Sequence, residues 1–135
     1  MSIVTLLKDS IPAGAHFSYG TTFDHNIVSE SDAWMYLLEF PLRGKTDFER
    51  GYTAYECVIL VGKFSNFELE VNEHIGIIED AEVHLRYYLD TIWKSSNILQ
   101  DVRLAHVKNK YDANLSGARA SFILEVPNDL CLPLP

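Results

Sequence analysis

Residues 73–96 hold the one long stretch with helical periodicity. Ile75, Ile78, Ala81 or Glu82, Leu85, Tyr88 or Leu89, and Ile92 recur at spacings of three and four. Acidic residues lead (Glu79, Asp80, Glu82) and Lys94 closes, matching the helix dipole, and Ser95-Ser96-Asn97 ends the run. One long amphipathic helix has an apolar stripe to bury and no second long helix to bury it against. Strands must supply the cover.

The rest of the chain reads as strands in two groups, one on each side of that helix. In residues 33–40, Trp34, Tyr36, Leu38 and Phe40 share one parity, and Met35, Leu37 and Glu39 the other. Both faces are largely apolar, which predicts a strand covered on both sides or lying at a subunit contact, with Pro41 as its end. Residues 42–51 form a polar connection with basic charge bunched into it. Residues 53–62, with Ala54, Tyr55, Cys57, Val58, Ile59, Leu60 and Val61, give the strongest central-strand signal. The two strands pair most simply as a hairpin with an extended tip, and residues 63–72 are a second exposed connection. After the helix, residues 101–111 and 118–126 form a second hairpin around the turn formers Asp112-Ala113-Asn114-Leu115-Ser116-Gly117. Residues 2–10 predict a short helix with Ile3, Leu6 and Leu7 on one face, stopped by Pro12 and Gly14. Residues 16–32 are polar and irregular, with strand and loop equally open for residues 19–23. The expectation is therefore an α+β fold: an antiparallel sheet of about four strands, one long helix across it and a short N-terminal helix. Residues 1–126 form a single domain, and 127–135 an extended, proline-containing arm.

Composition narrows the function classes. The 135 residues are 47% hydrophobic and 22% charged, which suits one globular domain and excludes wholesale disorder. A net charge of -8 argues against a protein whose task is to neutralise nucleic-acid phosphates or an anionic membrane. No apolar run approaches the ~20 residues of a membrane helix. The first residues lack the basic and cleavage regions of a secretory signal. Two cysteines are too few for a disulfide scaffold, so a reduced, cytoplasmic setting is expected.

Catalytic chemistry finds little support. The spacings of His16, His25, His74, His84 and His106 match no metal-binding pair, and His74 and His84 are separated along one helix by about 15 Å. No nucleophile elbow or phosphate-cradling loop is present. Cys57 lies in the most apolar strand and reads as a core residue. Arg43, Lys45 and Arg50 are the one local basic cluster, read either as a solvated turn or as a contact for an acidic neighbour. Tyr87, Tyr88 and Trp93 read as core or interface aromatics. No catalytic, cofactor or metal residue is expected.

The order of elements resembles the phage tail terminator, or tail-completion, proteins of the head–tail neck. The likeness is carried by a short helix, then a strand ending in Leu37-Leu38-Glu39-Phe40-Pro41, then a basic loop. A second apolar strand follows at residues 55–62, then the long helix, then the hairpin Tyr111-Asp112-Ala113-Asn114-Leu115-Ser116-Gly117-Ala118. It spans residues 3–126 and is one of order and texture, without an invariant signature. The resemblance implies a structural, non-enzymatic virion subunit, assembled in the host cytoplasm. It implies a homo-oligomeric ring, commonly six-fold, that caps the tail tube and meets the head connector. An acidic lumen would let DNA pass without holding it. The contact residues expected are Trp34, Tyr36, Arg43, Lys45 and Arg50, with Leu130, Leu132 and Leu134 alternating along the arm as an added strand or docked segment would. Two alternatives remain open. One is an acidic adaptor or chaperone that binds a basic protein. The other is a small enzyme built from scattered residues such as His106 with Glu125 or Asp112, which would need a concave pocket where they converge.

Overall fold

The computed structural model describes residues 3–20, 33–64, 71–95, 98–110 and 115–128. The chain runs α1 (Ile3–Asp9), β1 (His16–Gly20), β2 (Met35–Glu39), β3 (Arg43–Asp47), β4 (Tyr52–Phe64), α2 (Val71–Lys94), β5 (Ile98–Lys110) and β6 (Leu115–Pro127). The fold is α+β, with two helices and a six-stranded mixed sheet in the order β1-β2-β4-β6-β5, while β3 also pairs with β4.

The long apolar strand sits centrally, as its composition requires. β4 and β6 pair antiparallel from Tyr52↔Pro127 to Phe64↔Leu115. Along its other edge β4 meets two strands in succession, with Glu56 opposite Arg43 of β3 and Gly62 opposite Met35 of β2. Odd-numbered β4 residues (Cys57, Ile59, Val61) and even-numbered β6 residues (Ala118, Ala120, Phe122, Leu124, Val126) face α2. The helix returns Ala81, Leu85, Tyr88, Leu89 and Ile92, the later part of the stripe that the periodicity predicts, whereas Ile75 at its start is exposed rather than in the core. Ile3 and Leu7 bring α1 onto the same core. The Tyr88 hydroxyl donates to the Leu7 carbonyl at 2.8 Å and so ties the two helices together. On the opposite face Met35, Leu37, Leu60 and Leu115 form a second, smaller cluster. β2 is thus buried on both faces, as its double apolar pattern implies.

Two expectations need correction. The sheet has six strands, not about four, and it is not purely antiparallel, because β1 runs parallel to β2 in register His16↔Met35 to Gly20↔Glu39. β4 covers only one backbone edge of β2, and the buried second edge still needs hydrogen-bond partners. His16–Gly20 supplies them, although five residues with Ser and Gly carry little strand signal of their own. The polar connection at 42–51 contains a strand, β3, with all five residues exposed. With water on both faces it has no hydrophobic alternation to betray it, and its pairing with β4 alone makes it a strand. Smaller shifts follow at the ends. Leu115 to Gly117 belong to β6 and not to a turn, and β6 continues into Pro127, a position without a β5 partner that can spare its N–H.

β5 is the outer strand next to β6, and its register slips twice, between Gln100 and Arg103 and between Val107 and Lys110. Asp101 adopts a positive φ of 52° inside the first bulge. Bulges and charged side chains on an edge discourage further strand pairing.

Gly62 and Gly117 stand opposite each other in the β4–β6 ladder. A Cβ on Gly117 would run into the Val61 carbonyl and the Gly62 backbone, and one on Gly62 would come within 2.7 Å of the Ser116 carbonyl. Gly117→Ala is expected to destabilise the fold by about 1–3 kcal/mol, read by urea denaturation, because the obstruction is backbone and cannot swing aside.

Tyr36, Tyr88 and Cys57 share the core, and the rings of Tyr36 and Tyr88 lie 5.3 Å apart. Burial pushes the Tyr36 hydroxyl up to about 12 and the Cys57 thiol up to about 12. Tyr88 is pushed up further, first by burial and then by Cys57 and Tyr36. These groups hold their protons longer folded than unfolded. The stability they contribute is therefore complete below the unfolded values of about 8.5–10 and is lost as pH rises through the folded ones. Denaturation midpoints should stay level up to about pH 9 and then fall toward pH 12. Tyr36→Phe should make that alkaline fall shallower.

Candidate interaction surfaces

β3 alternates across the sheet, and its partners decide which side each residue takes. Arg43 stands opposite Glu56, and Lys45 opposite Ala54, both even-numbered β4 positions on the face away from α2. Arg43 and Lys45 are therefore neighbours on the open face of the sheet, and both are exposed. Arg50, in the turn after β3, joins them through β6: its Nη2 lies 3.3 Å from Glu125 Oε2. The Glu125 side chain is only 9% exposed, against 59% for Arg50. A carboxylate so enclosed needs a cation, and the guanidinium reaches it from the solvent side. Lys45, Asp47, Arg50, Tyr52 and Glu125 border a small hollow of about 230 Å³. The structure thus brings the three basic residues of the sequence cluster to one end of one face. Arg50 is already engaged by Glu125, and Arg43 stands opposite Glu56, so carboxylates of the same chain lie among these cations.

The apolar candidates divide. Trp34 is half-buried, its ring 4.5 Å from that of His84 on α2, and Lys63 Nζ lies 4.7 Å from the ring centroid. Tyr36 has no surface to give a neighbour: it is 1% exposed and its ring packs at a tilt against Tyr88, so its proposed contact role is corrected to a core role. β2 needs both of its faces covered, and its own chain covers them. Leu130, Leu132 and Leu134 lie outside the described residues.

A groove that the sequence reading did not single out runs between the α1–β1 connection and α2. It measures about 620 Å³. Ile11 and Pro12 line one side, Val83, His84 and Tyr87 the other, and Tyr88 the base. Val83 and Tyr87 are 67% and 73% exposed. They stand one helical turn apart on the side of α2 away from the sheet. The signal was present in the sequence as an apolar pair at i, i+4 outside the core stripe, in positions otherwise given to polar residues.

Scattered titratable residues do not converge. His106 Nε2 contacts Glu82 Oε1 at 3.3 Å on the helix side of the sheet, whereas Glu125 faces the opposite side with Arg50. Asp112 lies outside the described residues. Among the described residues, no three His, Cys, Asp or Glu side chains group so as to hold a metal ion. Nor, among them, is any helix long and apolar enough to cross a membrane.

Removing the cation from Glu125 should be felt. Arg50→Met is expected to destabilise the chain by about 1–3 kcal/mol, because a buried carboxylate loses its partner. Glu125→Gln in the same chain should recover most of that loss, a coupling that a double-mutant cycle by thermal denaturation would read.

No protein-family model matches the chain, and no curated protein sequence matches it.

Proposed function

We propose that the chain is a structural subunit of the phage head–tail neck, one copy of a ring that terminates the tail tube and meets the head connector. The observation that carries this reading is the second apolar side of α2. Its core stripe is satisfied by the sheet, yet Ile75, Val83, Tyr87 and Trp93 remain exposed on the same helix. A helix of a free-standing globule keeps its outer side polar; one with apolar residues on both sides has a further surface to cover. Phe40, Phe48, Ile98 and Val102 add exposed apolar side chains elsewhere. The likeness of element order to tail terminators supplies the identity of the assembly. The net charge of -8 suits a bore through which DNA slides without being held.

In this reading Arg43, Lys45, Arg50 and the rim of Trp34 are contact residues, the ring is built from copies of this chain, and no reaction is catalysed. Negative-stain microscopy with light scattering on the purified protein tests it. Closed rings of a fixed copy number are expected. A particle that stays monomeric or dimeric at high concentration would instead favour an acidic adaptor bound to a basic partner.

A further inference from the structure

At about 620 Å³, the groove between the α1–β1 connection and α2 lies within the ~300–1,000 Å³ of sites that seat small molecules. Tyr36, Tyr87 and Tyr88 give it aromatic surface, and Ile11, Pro12 and Val83 aliphatic surface.

The polar groups of the lining are weighted toward acceptors. Ser10 Oγ donates to the Leu6 carbonyl at 2.8 Å, the Tyr88 hydroxyl to the Leu7 carbonyl at 2.8 Å, and Thr91 Oγ1 to the Tyr87 carbonyl at 3.0 Å. A hydroxyl that has given its only proton to the backbone offers a visitor lone pairs alone. Asp9 adds a carboxylate, which also only accepts. It is the one carboxylate of the lining, and no lysine or arginine lines the groove with it. Among the described residues Asp9 forms no ion pair; Arg86 and Lys94 of α2 are paired with Glu82 and Asp90. Asp9 also ends α1, where the helix dipole disfavours negative charge, so the helix gains nothing from it.

Such a lining suits a ligand that brings both the protons and the charge. A protonated amine offers N–H donors to these oxygens, pairs with Asp9 and rests on tyrosine faces, which attract cations. An anion would meet Asp9 and find no cation in the lining.

We infer that this groove is a binding site for a small organic cation, a primary ammonium carried on an aromatic body. The body packs between Pro12 and Tyr87, and the ammonium faces Asp9. The site goes beyond the ring reading and is independent of it: Ile75 and Trp93, exposed on the same helix, do not line the groove.

Saturation-transfer NMR on the full chain tests it with phenethylamine, phenethyl alcohol and phenylacetate, which share an aromatic body and differ in charge. The amine is expected to bind roughly 3- to 10-fold tighter than the alcohol, the gain of one partly solvated charged contact, and phenylacetate is not expected to saturate. Asp9→Asn should bring the amine down to the alcohol. Tyr87→Ser should weaken both roughly 5-fold. Both side chains are exposed, so melting temperatures should hold. Salt at about 1 M should likewise erase most of the amine's advantage in the wild type, which reads the same contact without a substitution.

Equal binding of amine and alcohol, an advantage of the amine that survives Asp9→Asn, or binding unchanged by Tyr87→Ser overturns the assignment. So does binding of a blocked lysine amide without binding of phenethylamine, because the occupant is then a protein side chain. The ring reading, tested by microscopy, is untouched by any of these results.

Discussion

The ladder between β4 and β6 organises the rest of the molecule. It runs unbroken from Tyr52↔Pro127 to Phe64↔Leu115. β2 and β3 are strands because they lie along the free edge of β4, and β5 is a strand because it lies along that of β6. The side chains alternating along these two central strands make the platform on which α2 rests. The ladder also holds Gly62 opposite Gly117, where a Cβ on either would meet the facing backbone, so nothing larger fits there without moving a strand. The physical reason for this dependence is hydrogen bonding. A buried strand must satisfy both edges, and each pairing that does so places the next edge.

The sheet is asymmetric in consequence. One face is closed over much of its area by α1 and α2, with Tyr88 joining the helices to each other and to Tyr36 beneath. The other face is sealed only around Met35, Leu37, Leu60 and Leu115, and toward the β3–β4 turn it carries charge. That end holds the enclosed Glu125 under Arg50, with Arg43 and Lys45 alongside. Apolar surface is left over on the outside of α2 and at the tip of the turn.

Much of the fold was legible in the residues. The period of the Ile75 to Ile92 stripe marks a helix, and the apolar density of Tyr55 to Val61 marks a central strand. The double-sided pattern of Trp34 to Phe40 marks burial on both faces. Each of these signals arises from one segment meeting one environment. β1 and β3 escaped because their identity comes from a neighbour's edge and not from their own side chains. His16–Gly20 is too short and too mixed, and Arg43–Asp47 is too wet, for periodicity to speak. Tyr36 was assigned to a contact for a related reason: a two-faced strand reads alike whether its second cover comes from its own chain or from another.

Sequence alone determined the class of this protein. It required an α+β domain with one long helix on strands, an acidic surface, and a basic cluster at Arg43, Lys45 and Arg50, because composition and periodicity act through short-range physics. The tertiary structure alone decided which apolar residues were spent on the core and which were left outside. Tyr88 went inward and Tyr87 outward, though they are adjacent in the chain. It also decided that Arg50 would meet Glu125 across 75 positions of sequence, that Phe48 would stand bare at a turn, and that a groove would open between helices far apart in the chain. Those outcomes depend on how separate segments approach one another, and the order of residues along one strand or helix does not hold that information.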